Sequence, residues 1–201
     1  IHTSPLLCFG ELPDFILTRI LARVAVPFFL MVTGFFILPD IQWDNGKHQK
    51  WLRQIGKIGK LYLAAMLLYL PLMIYSGYFG QGFTVRGLIK DILFDGTFYH
   101  LWYLPAAMLG LAIVGLLLHC FTDRVVLVIS AVLYGIGLLG DSYYGITAML
   151  PWMSRLYDGI FSVSAYTRNG LFFAPLFLVL GYILGKERDR GRKLPVKFMI
   201  P

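Results

Sequence analysis

Charge is scarce in this chain. Only 14% of its 201 residues are Asp, Glu, Lys or Arg, too few to coat a globular domain of that length. A water-soluble fold is excluded on that ground. Cysteine is scarcer still: Cys8 and Cys120 are the only two. They form no CxxC pair and offer no Cys/His spacing suited to a metal. The expectation is two ordinary buried thiols, unpaired and near opposite membrane faces, with no metal site. The signatures of soluble enzymes are missing as well. There is no Walker A loop, no GxGxxG after a strand, no HExxH and no GxSxG elbow. Any chemistry done by this chain is done within or beside a bilayer.

Apolar residues are abundant. They make up 58% of the chain, aromatics 16%, and mean hydropathy is +0.69. They gather in stretches at roughly Phe15–Leu38, Ile58–Tyr78, Leu101–Phe121, Val125–Gly140 and Gly170–Gly185. A helix needs ~20 such residues to cross ~30 Å of hydrocarbon, and the fourth stretch is short for that. Backbone polar groups in lipid must be satisfied within the segment, which leaves helices as the plausible form. The expected fold is all-α, a polytopic transmembrane helical bundle forming one domain over residues 1–201. The start at Ile1–His2–Thr3 and the apolar close at Met199–Ile200–Pro201 predict a domain cut at both ends.

The net charge of +7 has a distribution that argues against nucleic acid. Lys47, Lys50, Arg53, Lys57 and Lys60 lie between the first two stretches, and Lys186, Arg188, Arg190, Arg192, Lys193 and Lys197 follow the last. Basic residues flanking apolar spans follow the positive-inside pattern. With five spans both clusters fall on one side, so residues 42–60 and 186–201 are expected to be cytoplasmic. The 79–100 and 141–168 loops are then external, and the lipid bilayer is the first partner. Anionic lipid beside the inner face suits the basic clusters.

Several local patterns follow. Trp51, Leu52, Ile55 and Ile58 among basic residues predict an amphipathic helix at the interface over 47–60. Val85, Leu88, Ile89, Ile92 and Leu93 sit at helical spacing. The aromatic 141–168 loop, interrupted by Pro151 and Gly159, predicts a short interfacial or re-entrant helix. Pro27 should kink or break the first span, and Thr33–Gly34 offers small residues for close helix packing.

The candidate functional residues are charged or aromatic side chains in apolar surroundings. Arg19 and Arg23 are four apart, which places them on one face of a helix. Arginine inside a span is costly and marks a functional or paired site. Arg23, about two turns in, suits a carboxylate, a phosphate or an internal acid; snorkelling is the alternative reading for Arg19. His2 can take or give a proton near neutral pH, or serve as a polar helix-end residue. His100–Leu101–Trp102–Tyr103 opens a span and reads either as a binding rim or as an aromatic belt. Thr167 is placed to cap the last span, beside Arg168, which is either a ligand-binding group or an interfacial anchor. His48 and His119 receive no role.

Taken in order, Ile1–His2–Thr3, Arg23 to Gly34 (RVAVPFFLMVTG), His100–Leu101–Trp102–Tyr103, Gly140–Asp141–Ser142–Tyr143 and Thr167–Arg168–Asn169–Gly170–Leu171–Phe172–Phe173 resemble the acyltransferase-3 family of integral membrane acyltransferases. Thr33 stands where that family commonly has Ser. The likeness is greatest to the membrane domain of vancomycin-resistance membrane-bound serine racemases. The resemblance implies a fragment of five to six spans from a roughly ten-helix domain in the bacterial cytoplasmic membrane. It implies acyl transfer from a cytoplasmic acyl-CoA donor to a hydroxyl of an extracytoplasmic small-molecule or envelope-glycan acceptor, with no tightly bound cofactor. His2 would be the catalytic base, and Arg23, Arg168, His100, Trp102 and Tyr103 would bind substrate. In the racemase subgroup the membrane domain would instead supply L-serine to a fused C-terminal racemase domain outside this chain.

Overall fold

The computed structural model describes residue 5 and residues 7–41, 48–80 and 82–189, apart from the side chains of Arg19 and Tyr99. His2, residues 42–47 and the basic residues from Arg190 onward lie outside this description. Every regular element among the described residues is helical, with no strand among them.

The first rod runs Glu11–Ile37 over 27 residues. It comprises α1 (Glu11–Phe15), a π-helical turn (Ile16–Leu21), a 3-10 turn (Ala22–Val24) and α2 (Ala25–Ile37). Pro27 has no N–H to return to the carbonyl of residue 23, and the irregular turns lie just before it. Arg19 lies on the π-helical turn and Arg23 on the 3-10 turn. The side chain of Arg19 is outside the described residues.

Helix α3 (His48–Tyr75) is one continuous helix of 28 residues. This corrects the expectation of a separate interfacial helix over 47–60. Trp51 is buried, its Nε1 donates to the Leu111 carbonyl at 2.8 Å, and its indole lies against Gly115. Ile55 and Ile58 pack on the same core, so this part of the stripe faces protein, while Leu52 stays exposed. Trp51→Phe removes the hydrogen bond and part of the buried ring. It is expected to cost about 1–2 kcal/mol, read as a lower melting temperature in detergent.

The next loop carries α4 (Val85–Lys90), capped by Thr84, whose hydroxyl accepts from Gly87 N at 3.1 Å. A π-helical turn over Asp91–Asp95 continues it, as the helical spacing through Leu93 predicts. Helices α5 (Tyr103–Cys120) and α6 (Asp123–Gly140) have 18 residues each. The aromatic loop forms α7 (Tyr144–Thr147) and α8 (Pro151–Val163), and α9 (Ala174–Asp189) closes the described chain.

Among the described residues, four helices are long and apolar enough to span a bilayer: Glu11–Ile37, α3, α5 and α6. The fifth expected span is helical but starts later, at Ala174, and has 16 residues, about 24 Å at 1.5 Å each. Its last four residues are charged. The turn built by Asn169, described below, takes up the residues that the hydropathy pattern assigned to the helix.

Helix α9 is nonetheless the centre of the bundle, against α2, α5 and α6. Leu178 and Val179 are fully buried. At the α2–α9 crossing, a methyl group on Gly34 would strike the backbone of Leu178, one on Gly181 the backbone of Met31, and one on Gly185 that of Phe35. Gly181 and Gly185 form the small-xxx-small spacing that lets two membrane helices approach backbone to backbone. Thr33–Gly34 therefore does mark a packing seam.

At one end of the bundle Lys50 pairs with Asp40 and Lys186 with Asp123, while Arg188 lies over the Phe35 ring at 4.6 Å. The opposite end gathers Arg23, Tyr103, Gly140 and Arg168. Cys8 and Cys120 are free, as expected, but both are exposed rather than buried. Cys120 is the last residue of α5, where the packing has ended.

Candidate functional site

A cavity of about 660 Å³ opens at the Arg23–Arg168 end. Arg23, His100, Trp102, Tyr103 and Arg168 all line it, although they are far apart in sequence. Every sequence-nominated site residue with a described side chain, Arg19 excepted as above, thus meets at one place. The position of His2 lies outside the described residues. Tyr134, Asp141, Ser142, Phe173 and Phe177 complete much of the wall.

Local structure explains the convergence. The break before Pro27 brings Arg23 to the cavity within the first rod. A 3-10 turn at Tyr99–Leu101 leads into α5; Leu101 is buried, and His100 and Trp102 stand on the rim. Arg168 is held by its two neighbours. The Thr167 hydroxyl donates to the Gly137 carbonyl of α6 at 2.7 Å. Asn169 is buried and satisfied in every direction. Its Oδ1 accepts from Leu171 N at 2.9 Å and Phe172 N at 3.1 Å, and its Nδ2 donates to Tyr166 O at 2.7 Å and Ser164 Oγ at 3.2 Å. Asn169, not Thr167, therefore caps the start of the last segment, because the Thr167 hydroxyl is already committed to α6. Asn169→Ala leaves the Leu171 and Phe172 N–H groups without their side-chain acceptor, while the Tyr166 carbonyl keeps the Ser164 hydroxyl at 3.1 Å. The expected loss is about 2–3 kcal/mol of stability, measured by thermal unfolding in detergent.

With its neighbours pinned, Arg168 projects into the cavity, where its Nε lies 3.0 Å from Asp141 Oδ2. The two side chains are 48% and 33% exposed, so the pair is worth no more than about 1 kcal/mol. An incoming anion can displace Asp141 at little cost. The apolar wall is formed by rings in contact: Trp102 and Phe173 with centroids 6.1 Å apart, Tyr134 and Phe177 at 5.5 Å, and Phe173 and Phe177 at 5.0 Å. Two guanidinium groups beside such a wall suit a small ligand bearing a carboxylate or phosphate. Phe173 and Phe177, four apart, carry only a helical packing signal, and Tyr134 sits mid-span. Nothing in their spacing separates them from ordinary core residues.

A second cavity of about 380 Å³ adjoins the first and shares Trp102 and Arg168 with it. It is lined by Asp91, Asp95, Thr97, Phe98, Tyr78 and Tyr166, among others. Both oxygens of Asp95 accept from Ala165 N, at 2.9 and 2.7 Å. Burial raises the Asp95 pKa above the ordinary carboxylate value, and the Ala165 N–H and the Lys90 charge only partly offset it. Tyr78 donates its hydroxyl to Asp91, and burial followed by that contact raises its pKa as well.

These features define a helical membrane domain with an arginine-lined cavity at one end. The family model described as an acyltransferase domain matches residues 1–201, and the chain belongs to that family. Among curated proteins, it is 46% identical to an amino-acid racemase of Enterococcus faecalis over 193 residues, 96% of this chain and 27% of the relative. A second amino-acid racemase of that organism is 40% identical over 205 residues, covering 100% of this chain and 29% of the relative. A serine/alanine racemase of Enterococcus gallinarum is 38% identical over 193 residues, 94% of this chain and 27% of the relative. The chain thus spans a little over a quarter of the length of these relatives. No solved structure matches it.

Proposed function

We propose that this chain is the membrane part of a racemase-type protein and that its arginine-lined cavity binds a small amino acid, serine first among them, for supply to a racemase domain. The observation that carries this reading is that Arg23 and Arg168 line the same cavity. The printed names of the relatives, two amino-acid racemases and a serine/alanine racemase, direct the choice of ligand. The cavity in this reading faces the extracytoplasmic side of the bacterial cytoplasmic membrane, an orientation the positive-inside distribution supports. In this reading the guanidinium forks hold the carboxylate, and the aromatic wall excludes water from the rest of the ligand.

The family match favours a second reading. There the same cavity holds a hydroxyl-bearing envelope acceptor, an acyl-CoA donor supplies the acyl group from the cytoplasmic side, and His2 acts as general base. One pair of assays on the full-length protein in vesicles separates the two. Supply of serine predicts saturable entry of labelled L-serine and no acceptor-dependent turnover of acetyl-CoA. Acceptor-dependent acetyl-CoA turnover without serine entry would replace the first reading by the second. Loss of that turnover in His2→Ala would then assign the base.

A further inference from the structure

Asp141 is the one carboxylate among the described residues that line the arginine cavity. Its Oδ2 faces Arg168 Nε at 3.0 Å. Arg23, on the same cavity, makes no ion pair among the described residues. The carboxylates of the adjoining cavity are engaged elsewhere, Asp91 by the Tyr78 hydroxyl and Asp95 by the Ala165 N–H. The Arg168–Asp141 pair is fixed by the backbones that carry it. The Thr167 hydroxyl ties the Arg168 segment to the Gly137 carbonyl of α6. A methyl group on Gly140, the residue before Asp141, would lie 2.7 Å from the Thr167 methyl carbon and 2.6 Å from the Tyr157 ring. The end of α6 therefore rests directly on the segment that leads to α9, and Asp141 is set opposite Arg168 before any ligand arrives. Both side chains are nonetheless partly open to the cavity, so the pair is weak and a ligand can open it.

An anion that takes Arg168 leaves Asp141 without its cation, in a cavity walled by Trp102, Tyr134 and Phe173. A carboxylate stripped of its partner in such surroundings is disfavoured. That cost falls on every simple carboxylate. It is lifted for a ligand that carries a cation of its own beside its carboxylate. An α-amino acid bears both groups on one carbon, so the charges it brings stand about as close together as the two it separates. We propose that Asp141 is the specificity-determining residue of this cavity, receiving the α-ammonium group while Arg168, together with Arg23, takes the carboxylate. The Arg168–Asp141 pair is thus the template for a zwitterion: opening it exposes one fixed charge of each sign, close together and pre-aligned. The rings of Trp102 and Tyr134 on the same wall add faces that attract a cation.

This inference rests on the amino-acid reading above and deepens it. The test measures binding of three probes to the purified full-length protein: L-serine, L-glycerate (a hydroxyl in place of the ammonium) and isoserine (the ammonium one carbon further away). Wild type is expected to bind serine roughly ten- to a hundredfold more tightly than glycerate, with isoserine weaker than serine. Asp141→Asn, similar in shape, is expected to bring serine down to the level of glycerate. Glycerate itself, which no longer competes with a carboxylate for Arg168, is expected to bind that variant a few-fold more tightly. Asp141→Glu keeps the charge and is expected to keep a preference for serine over glycerate. A preference for serine that survives in Asp141→Asn overturns the assignment. Parallel loss of serine and glycerate binding in both variants also overturns it, since Asp141 would then only position Arg168. Equal binding of serine and glycerate by wild type overturns it while leaving the arginine site standing. Binding of none of the probes by wild type overturns it together with the amino-acid reading.

Discussion

Gly181→Val is expected to be the most damaging single substitution in the bundle. Its side chain would be driven into the backbone of Met31 at the point where α2 and α9 cross. A flexible side chain can move aside, but two helix backbones separate only together. Overpacking of a core typically costs 1–3 kcal/mol, and a clash with backbone belongs at the top of that range or above it, about 3 kcal/mol or more. Gly34→Val attacks the same seam from the other side, against Leu178, and should behave alike. Gly135→Val is the control, since no heavy atom stands within 4 Å of an added methyl there. Yield and melting temperature of the full-length protein in detergent should fall steeply for the first two and hold for the third. Because α2 carries Arg23's segment onto α9, the seam variants should also lose ligand binding.

Arg23→Ala is expected to leave the melting temperature near that of wild type and to weaken L-serine binding by roughly ten- to a hundredfold. That is the range in which hydrogen bonds to charged groups contribute, about 1.5–3 kcal/mol. Arg23 is exposed to the cavity and is no part of the buried core, so its truncation leaves no unfilled space in the packing. Arg23→Lys keeps the charge but loses the planar fork and should fall between the two. Equilibrium binding of labelled serine to the three proteins gives the order directly. A drop in stability equal to the drop in affinity would make Arg23 a structural residue.

Much of this architecture was legible in the sequence because lipid simplifies the code. Long apolar runs have one solution in a bilayer, and the rods around α2, α3, α5 and α6 follow from them. What misled was apolar surface whose partner is protein. Trp51, Ile55 and Ile58 among lysines and arginines read as an interfacial stripe, but Gly115 on a distant helix provides the flat surface that buries the indole. The start of α9 was misplaced because Asn169 spends its side chain on the next residues' N–H groups. Hydropathy does not register that.

The candidate site divides in the same way. Arg23 and Arg168 stand out because charge is rare in apolar surroundings, but only the fold brings them to one cavity. Asp141 was visible only as part of a resemblance, and its ion pair with Arg168 depends on a tertiary approach. Asp91 and Asp95 were hidden in a loop where acids are unremarkable. Only the fold sets them beside Trp102, and only burial makes Asp95 an unusual carboxylate.

The most direct test of the account is access to the cavity. Ser142 lines it beside Asp141. In the full-length protein with its other cysteines replaced, Ser142→Cys is to be treated in intact cells with a membrane-impermeant thiol reagent, with and without L-serine. The account predicts labelling from outside, slowed by L-serine and no longer slowed once Arg23 is also changed to Ala. Labelling that occurs only after the cells are opened, or that proceeds at the same rate with and without serine, would contradict it.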